Sequence, residues 1–163
     1  EIAGRSQAGY DAFYAALREL YSRLAASHRR FIVFDLHTYN HRRDGPGSPE
    51  ADPLANPQVN VGTGTMADRS VWAPVIDRFV ADLSAFEFPT GPLDVRENIR
   101  FRGGHHGLWA HETFSDAACV LSIEVKKFFM DEWTGEVDQL LHREVGRALD
   151  STVPGVLEEL ARL

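Results

Sequence analysis

Two ionisable side chains lie at the end of an apolar run early in the chain. The stretch from Phe31 to His37 predicts a buried strand that ends in a carboxylate, Asp35, and an imidazole, His37. Because successive side chains of a strand point to opposite faces, these two residues share one face. A neutral imidazole can ligate a metal, and a carboxylate beside it can fix its tautomer. The alternative is a hydrogen-bonded His–Asp pair that only satisfies a polar strand end.

A second apolar run carries an isolated glutamate. The stretch from Cys119 to Val125 also predicts a buried strand, and Glu124 follows three of its apolar residues. Desolvation raises the pKa of a carboxyl group and suits it to proton transfer. In open α/β sheets the chemistry gathers at the carboxyl ends of the strands. The alternative for Glu124 is an ion pair with Lys126, two residues on and on the same strand face.

A glycine-rich segment, 102–107, contains one arginine and two histidines. Its glycines allow close backbone approach, and Arg102 or the nearby Arg100 could bind a substrate carboxylate. Adjacent histidines rarely ligate one metal together, so His105 and His106 are weak metal candidates. The segment could equally be a flexible exposed loop.

Helical spacing and apolar runs alternate along the chain. This alternation predicts one α/β domain, residues 1–163, with a mixed central sheet flanked by helices. The predicted helices are 10–26, 71–86, 136–149 and 156–160, the predicted strands are 31–36, 59–62, 93–95 and 118–125, and the predicted irregular segments are 38–57 and 98–108.

Composition excludes several classes of function. A net charge of −7 argues against a nucleic-acid surface, which needs clustered Lys and Arg. No apolar stretch reaches the roughly 20 residues that cross a bilayer, so we expect no membrane partner. Cys119 is the only cysteine; we expect an inert core residue in a cytoplasmic protein. The chain has no phosphate-binding loop, dinucleotide signature or nucleophile elbow.

Four short motifs occur in an order that resembles a known enzyme family. They are 34–39, 60–64, 97–105 and 122–125, and together they resemble the N-formylglutamate amidohydrolase family. More distantly, they resemble the zinc carboxypeptidase-like fold. The longer runs 35–46 and 124–133 are similar to an uncharacterised bacterial branch of the family.

The resemblance implies a fold of the zinc-exopeptidase type and a reaction. In such enzymes the His of the Asp-x-His element ligates zinc, a role that falls on His37, with Asp35 as the residue that orients it. The glutamate on the late strand, here Glu124, is the general acid/base. The implied reaction is hydrolysis of the amide bond of an N-acyl, N-formyl-like amino acid. Zinc is the implied cofactor, although manganese or iron would also suit mixed nitrogen and oxygen ligands.

The resemblance also suggests where a small N-acyl amino acid would bind. Arg102, beside the Gly-Gly turn, is the predicted partner of the substrate carboxylate. Asn98, Gly104 and His105 complete the predicted substrate-binding set.

One departure from the family affects the predicted activity. The family's other zinc ligands lie upstream of the Asp-x-His strand, whereas the first 30 residues here predict a single helix. With no initiator Met, we expect the chain to be the C-terminal portion of an amidohydrolase-like domain, unless histidines 41, 105 and 106 replace the missing ligands. The alternative function is a catalytically inactive module that binds a small carboxylate through 98–107 and acts in regulation.

Overall fold

A four-stranded mixed sheet flanked by helices forms the domain, as the sequence predicts. The computed structural model describes the backbone of residues 2–163 and the side chains of residues 4–163. The sheet order is β1-β4-β2-β3: β4 pairs in parallel with β1 and antiparallel with β2, which is parallel to β3. The elements are α1 Ile2–His28, β1 Phe31–Tyr39, β2 Val59–Gly62, a 3-10 turn Arg69–Trp72, α2 Ala73–Ala85, β3 Val95–Glu97, α3 His105–Thr113, β4 Ala118–Lys126 and α4 Gln139–Leu160.

Each face of the sheet packs against a pair of helices. Alternation along β4 sends Leu121 and Ile123 to the face covered by α2 and α4, where Phe79 and Ile76 of α2 are fully buried. The opposite face carries a smaller cluster built from β1, β4, α1 and α3, with Tyr21 of α1 at its centre. Asp35, His37 and Glu124 lie on this second face, and the helices therefore position one side of the candidate site.

The burial of Cys119 confirms its prediction as a core residue, and its inertness stays a prediction. The side chain is fully buried in the α2/α4 face, and burial raises its thiol pKa to about 12. A thiol that holds its proton at neutral pH is a poor nucleophile and a poor metal ligand.

The first strand is longer and more exposed than its apolar run predicts. It continues through Asp35 and His37 to Tyr39, so both side chains lie inside the strand rather than after it. The residues between Phe31 and Tyr39 are not fully buried, because β1 is at the edge of the sheet and β4 is in the interior.

Two helical predictions need correction. The segment predicted as irregular, 98–108, enters α3 at His105, where Gly107 packs closely on Thr65 and tertiary contact outweighs weak helix propensity. The two predicted C-terminal helices form one, α4, with Pro154 inside it. Proline removes one backbone hydrogen bond, and the packing of α4 along α2 maintains the helix. No helix between residues 2 and 163 has both the length and the apolar character that spanning a bilayer requires.

Candidate active site

Strand register brings the two main candidate residues side by side. In the parallel pairing of β1 with β4, His37 is opposite Glu124 and Asp35 is opposite Ser122. Neighbouring strands lie roughly 4.8 Å apart, and paired residues share a face. The antiparallel neighbour β2 places Asn60 on the other side of Glu124. Three strands therefore contribute polar side chains to one patch of the sheet.

Asp35 contacts two imidazoles through one oxygen atom. Its Oδ1 lies 3.1 Å from Nε2 of His37 and 3.2 Å from Nδ1 of His106. The Tyr21 hydroxyl hydrogen-bonds the other ring nitrogen of His106 at 2.9 Å. The carboxylate is largely buried, whereas half of the His37 side chain is exposed. Asp35 thus orients His37 and leaves its Nδ1 facing away from the pair.

The contact between Asp35 and His106 was missed by sequence reasoning. The 102–107 segment reads as a separate glycine-rich loop in the sequence, and no periodicity links it to β1. Only the packing of α3 against α1 and the sheet brings His106 to the carboxylate.

Glu124 has the environment of a proton-transfer group. Burial raises its pKa; the nearby His37 lowers it and the Asp35 carboxylate raises it further. Lys126 is nearly buried, and in the part of the chain that the structure describes it forms no ion pair with Glu124. The alternative interpretation of Glu124 as half of a structural ion pair therefore finds no support.

An open cleft of about 550 Å³ lies beside this pair. His37 and Glu124 line it together with Arg43, Phe101 and Trp133. Clefts of this size accommodate small organic molecules. The site can therefore place a bound molecule directly against an imidazole and a protonatable carboxyl group.

The predicted substrate-binding residues cluster around the turn that precedes α3. Asn98 adopts a positive φ of 57°, and its side chain bonds the backbone N–H and the hydroxyl of Thr63 at 2.9 and 2.8 Å. Gly104 caps the N-terminus of α3, and His105 hydrogen-bonds Tyr10 at 2.6 Å. Arg102 is exposed beside Gly64.

None of these four residues lines the cleft with His37 and Glu124. Their roles in binding substrate stay predictions. Arg100, the other arginine considered for this role, bonds Asn56 at 2.7 Å and lies over the Tyr39 ring. Its guanidinium is therefore already occupied within the protein.

The donors around His37 fall short of a complete metal site. Asp35, His37 and His106 lie together, but within residues 2–163 no three His, Cys, Asp or Glu side chains are arranged to hold a metal ion. His41 is buried between Glu50 and Glu132, with nitrogen–oxygen distances of 3.8 and 3.7 Å. His105 and His106 contact Tyr10 and Asp35, as described above. A catalytic zinc takes about three protein ligands, and the residues present supply fewer.

The fold and the cleft indicate an α/β protein with a hydrolase-like pairing of an imidazole and a carboxyl group. The family model of N-formylglutamate amidohydrolase matches residues 1–129, and the chain belongs to that family. No curated protein and no solved structure matches the chain. The family suggests amidohydrolase activity on substrates like N-formylglutamate, which are small molecules. The zinc-exopeptidase type of the fold stays a prediction.

Proposed function

We propose that the chain hydrolyses the amide bond of N-acyl amino acids, with Glu124 as the general acid/base and His37 as a ligand to a divalent metal, zinc by family resemblance. The observation that carries the proposal is the strand register that pairs His37 with Glu124 at the cleft. Family membership supports the reaction class.

Glu124 supplies the proton chemistry of this proposal. Its raised pKa brings the carboxyl group nearer to neutrality, where a group both accepts and returns a proton efficiently. As the base it takes a proton from the attacking water, and as the acid it gives that proton to the departing amide nitrogen. Its position in β4, an interior strand of the sheet, holds the carboxyl group in place during both transfers.

Asp35 and His106 support His37. The Asp35 carboxylate accepts from the imidazole, fixes which nitrogen faces the cleft and raises the basicity of the ring. His37 supplies one ligand, and the described residues supply no complete set of three. Additional ligands upstream of β1 stay a prediction.

A second candidate function follows from that incomplete ligand set. The chain would then bind a small carboxylate without hydrolysing it and act in regulation or assembly. The two functions differ in a measurable property, because a catalytic site needs a firmly held metal and a binding module does not.

Zinc stoichiometry and affinity test the proposal directly. We would measure them by calorimetry for wild type, His37→Ala and Glu124→Gln, with His142→Ala as the matched control, since His142 is an exposed helical histidine. Formate release from N-formyl amino acids would be followed on the same samples.

The enzyme proposal expects about one zinc, lost in His37→Ala and kept in Glu124→Gln and in the control. It also expects formate release by wild type that Glu124→Gln reduces by about 100-fold or more. A folded wild-type chain that binds ligand but neither holds zinc nor releases formate would favour the binding module instead.

A further inference from the structure

The backbone that carries Arg43 is held against the turn that contains Trp133. The Glu132 carboxylate is almost fully buried and accepts from the backbone N–H groups of His41, at 3.1 Å, and of Arg42. The Trp133 indole N–H donates to the Arg42 carbonyl at 2.7 Å. These bonds fix the segment leading into Arg43, although it belongs to the long connection between β1 and β2. The backbone that leads into Arg43 is therefore anchored, and the exposed arginine side chain extends from it.

The guanidinium of Arg43 is available to a ligand. It is exposed and lines the cleft beside His37 and Glu124. Across residues 4–163 no carboxylate pairs with it, whereas its neighbour Arg42 is bound to Glu50 at 3.1 Å. The planar fork of an arginine matches the two oxygens of a carboxylate.

Aromatic surface forms another part of the same cleft. Half of the Trp133 side chain is exposed although its N–H is already bonded, so its free surface is apolar. Phe101 is partly buried and packs edge-on against Tyr39 at 5.3 Å between ring centroids. A flat or apolar group bound here would bury both surfaces from water.

The charges of the cleft argue against a second carboxylate on the ligand. Apart from Arg43, the ionisable side chains of the lining are His37, Tyr39 and Glu124. The Tyr39 hydroxyl donates a hydrogen bond to the carbonyl oxygen of Pro57 and so is not free to bind a ligand. An acidic side chain such as that of glutamate would find no free cation among the lining residues, because Arg100, which lies over the Tyr39 and Phe101 rings, is already bonded to Asn56.

We propose that this cleft selects N-acyl amino acids that carry one carboxylate and an apolar or aromatic side chain. Arg43 binds the carboxylate, and the face of Trp133 with Phe101 receives the side chain. The inference rests on the proposed function for its placement of the scissile amide beside Glu124. It differs from a glutamate-type preference, which would need two cations.

Binding without turnover tests this preference. We would titrate N-formyl-phenylalanine, N-formyl-phenylalaninamide and N-formyl-glutamate into the full chain carrying Glu124→Gln, by calorimetry. The first ligand should bind about 10-fold or more tightly than either of the others. The amide ligand lacks the carboxylate that Arg43 binds, and the glutamate side chain places a second carboxylate against the aromatic surface of Trp133 and Phe101.

Variants of Arg43 connect that preference to the residue. In the same background, Arg43→Ala should weaken N-formyl-phenylalanine by about 10- to 100-fold and leave the amide ligand unchanged. Arg43→Lys should restore part of the loss. Arg162→Ala is the matched control, because this exposed arginine pairs only with Glu158 and Glu159 on α4.

Trp133→Ala should lose most of the affinity for the phenylalanine ligand. Trp133→Phe keeps an aromatic face but loses the bond to the Arg42 carbonyl, so its affinity should fall between those of wild type and Trp133→Ala. Urea denaturation and circular dichroism would show that each variant is folded.

Three outcomes would overturn the inference: N-formyl-glutamate binding more tightly, Arg43→Ala leaving affinity unchanged, or Arg102→Ala causing the loss instead. Formate release by the wild-type chain separates this inference from the proposed function. Tight binding that depends on Arg43, without formate release, would refute the enzyme and keep the selectivity. Formate release that is faster with N-formyl-glutamate would support the enzyme and refute the selectivity for apolar side chains.

Discussion

His111 is buried between two partners that fix its protonation state. The backbone N–H of Val120 lies 3.0 Å from its Nε2, and the Thr65 hydroxyl lies 3.0 Å from its Nδ1. A backbone N–H only donates, so Nε2 accepts and the proton of the neutral ring is on Nδ1. A second proton on Nε2 would point at the Val120 N–H. Burial lowers the pKa of His111 below its ordinary 6.5.

Replacing the imidazole of His111 measures how much its Nε2, as a hydrogen-bond acceptor, contributes to the free energy of unfolding. His111→Leu keeps apolar volume but leaves the N–H of Val120 buried without a partner, which costs about 1–3 kcal/mol of unfolding free energy. His111→Gln retains an acceptor oxygen and should lose less than half as much. Equilibrium urea denaturation at pH 8, where His111 is neutral in both the folded and the unfolded chain, measures both differences.

The pH dependence follows from the lowered pKa. Below about pH 6.5 the unfolded chain binds a proton that folded His111 resists, so the free energy of unfolding decreases as the pH falls through this value. One such group contributes at most about 1.4 kcal/mol per pH unit. His41, whose pKa burial also lowers, contributes in the same window. His111→Gln should therefore reduce the slope between pH 7 and 5 without abolishing it.

Urea midpoints and slopes, measured at half-unit pH intervals, would test both the cost of losing the acceptor and the pH dependence of stability. A cost below about 0.5 kcal/mol for His111→Leu at pH 8 would contradict the role of Nε2 as the acceptor for the Val120 N–H. Parallel losses of stability in wild type and His111→Gln as the pH falls would contradict a lowered pKa of His111.

Three further predictions concern packing, loop anchoring and reactivity. Gly62→Ala places a Cβ against the backbone of Gly103 and should cost about 1–3 kcal/mol in urea denaturation. Gly146→Ala, in a helix with open space around it, should be neutral or stabilising, and equal effects would contradict the packing argument. Glu132→Ala frees two backbone amides of the connection between β1 and β2, so hydrogen exchange there should quicken by about 10-fold, and unchanged exchange would disprove the anchoring. Cys119 should react with a thiol reagent only after unfolding, and rapid reaction of the native chain would contradict its burial.

Local patterns predict the parts of this fold that depend on local sequence. The apolar run around Val120 predicts β4, and the spacing of Ile76 and Phe79 predicts α2. The shared face of Asp35 and His37 follows from alternation alone. Each of these features depends only on residues that are close to one another in the sequence.

The remaining features depend on contacts between distant segments. Nothing in the sequence around Glu124 reveals that it pairs with His37, because strand order and register are properties of the whole sheet. Helix α3 begins at His105 because Gly107 packs on Thr65, not because its residues favour helix. The same reason applies to Arg43, whose position depends on the turn that contains Trp133.

Strand β1 has hydrogen-bonding groups free along one side, because within the described chain only β4 pairs with it. A strand that paired with β1 there would lie about 4.8 Å from it, and each of its side chains would point to the same face as the β1 residue opposite. Every second residue of such a strand would face the same way as Asp35 and His37. The open edge is thus a template that specifies, from backbone geometry alone, which positions of an added strand would share the face of the cleft. If this edge were left uncovered, the β1 strands of two copies could pair with each other and the protein could aggregate.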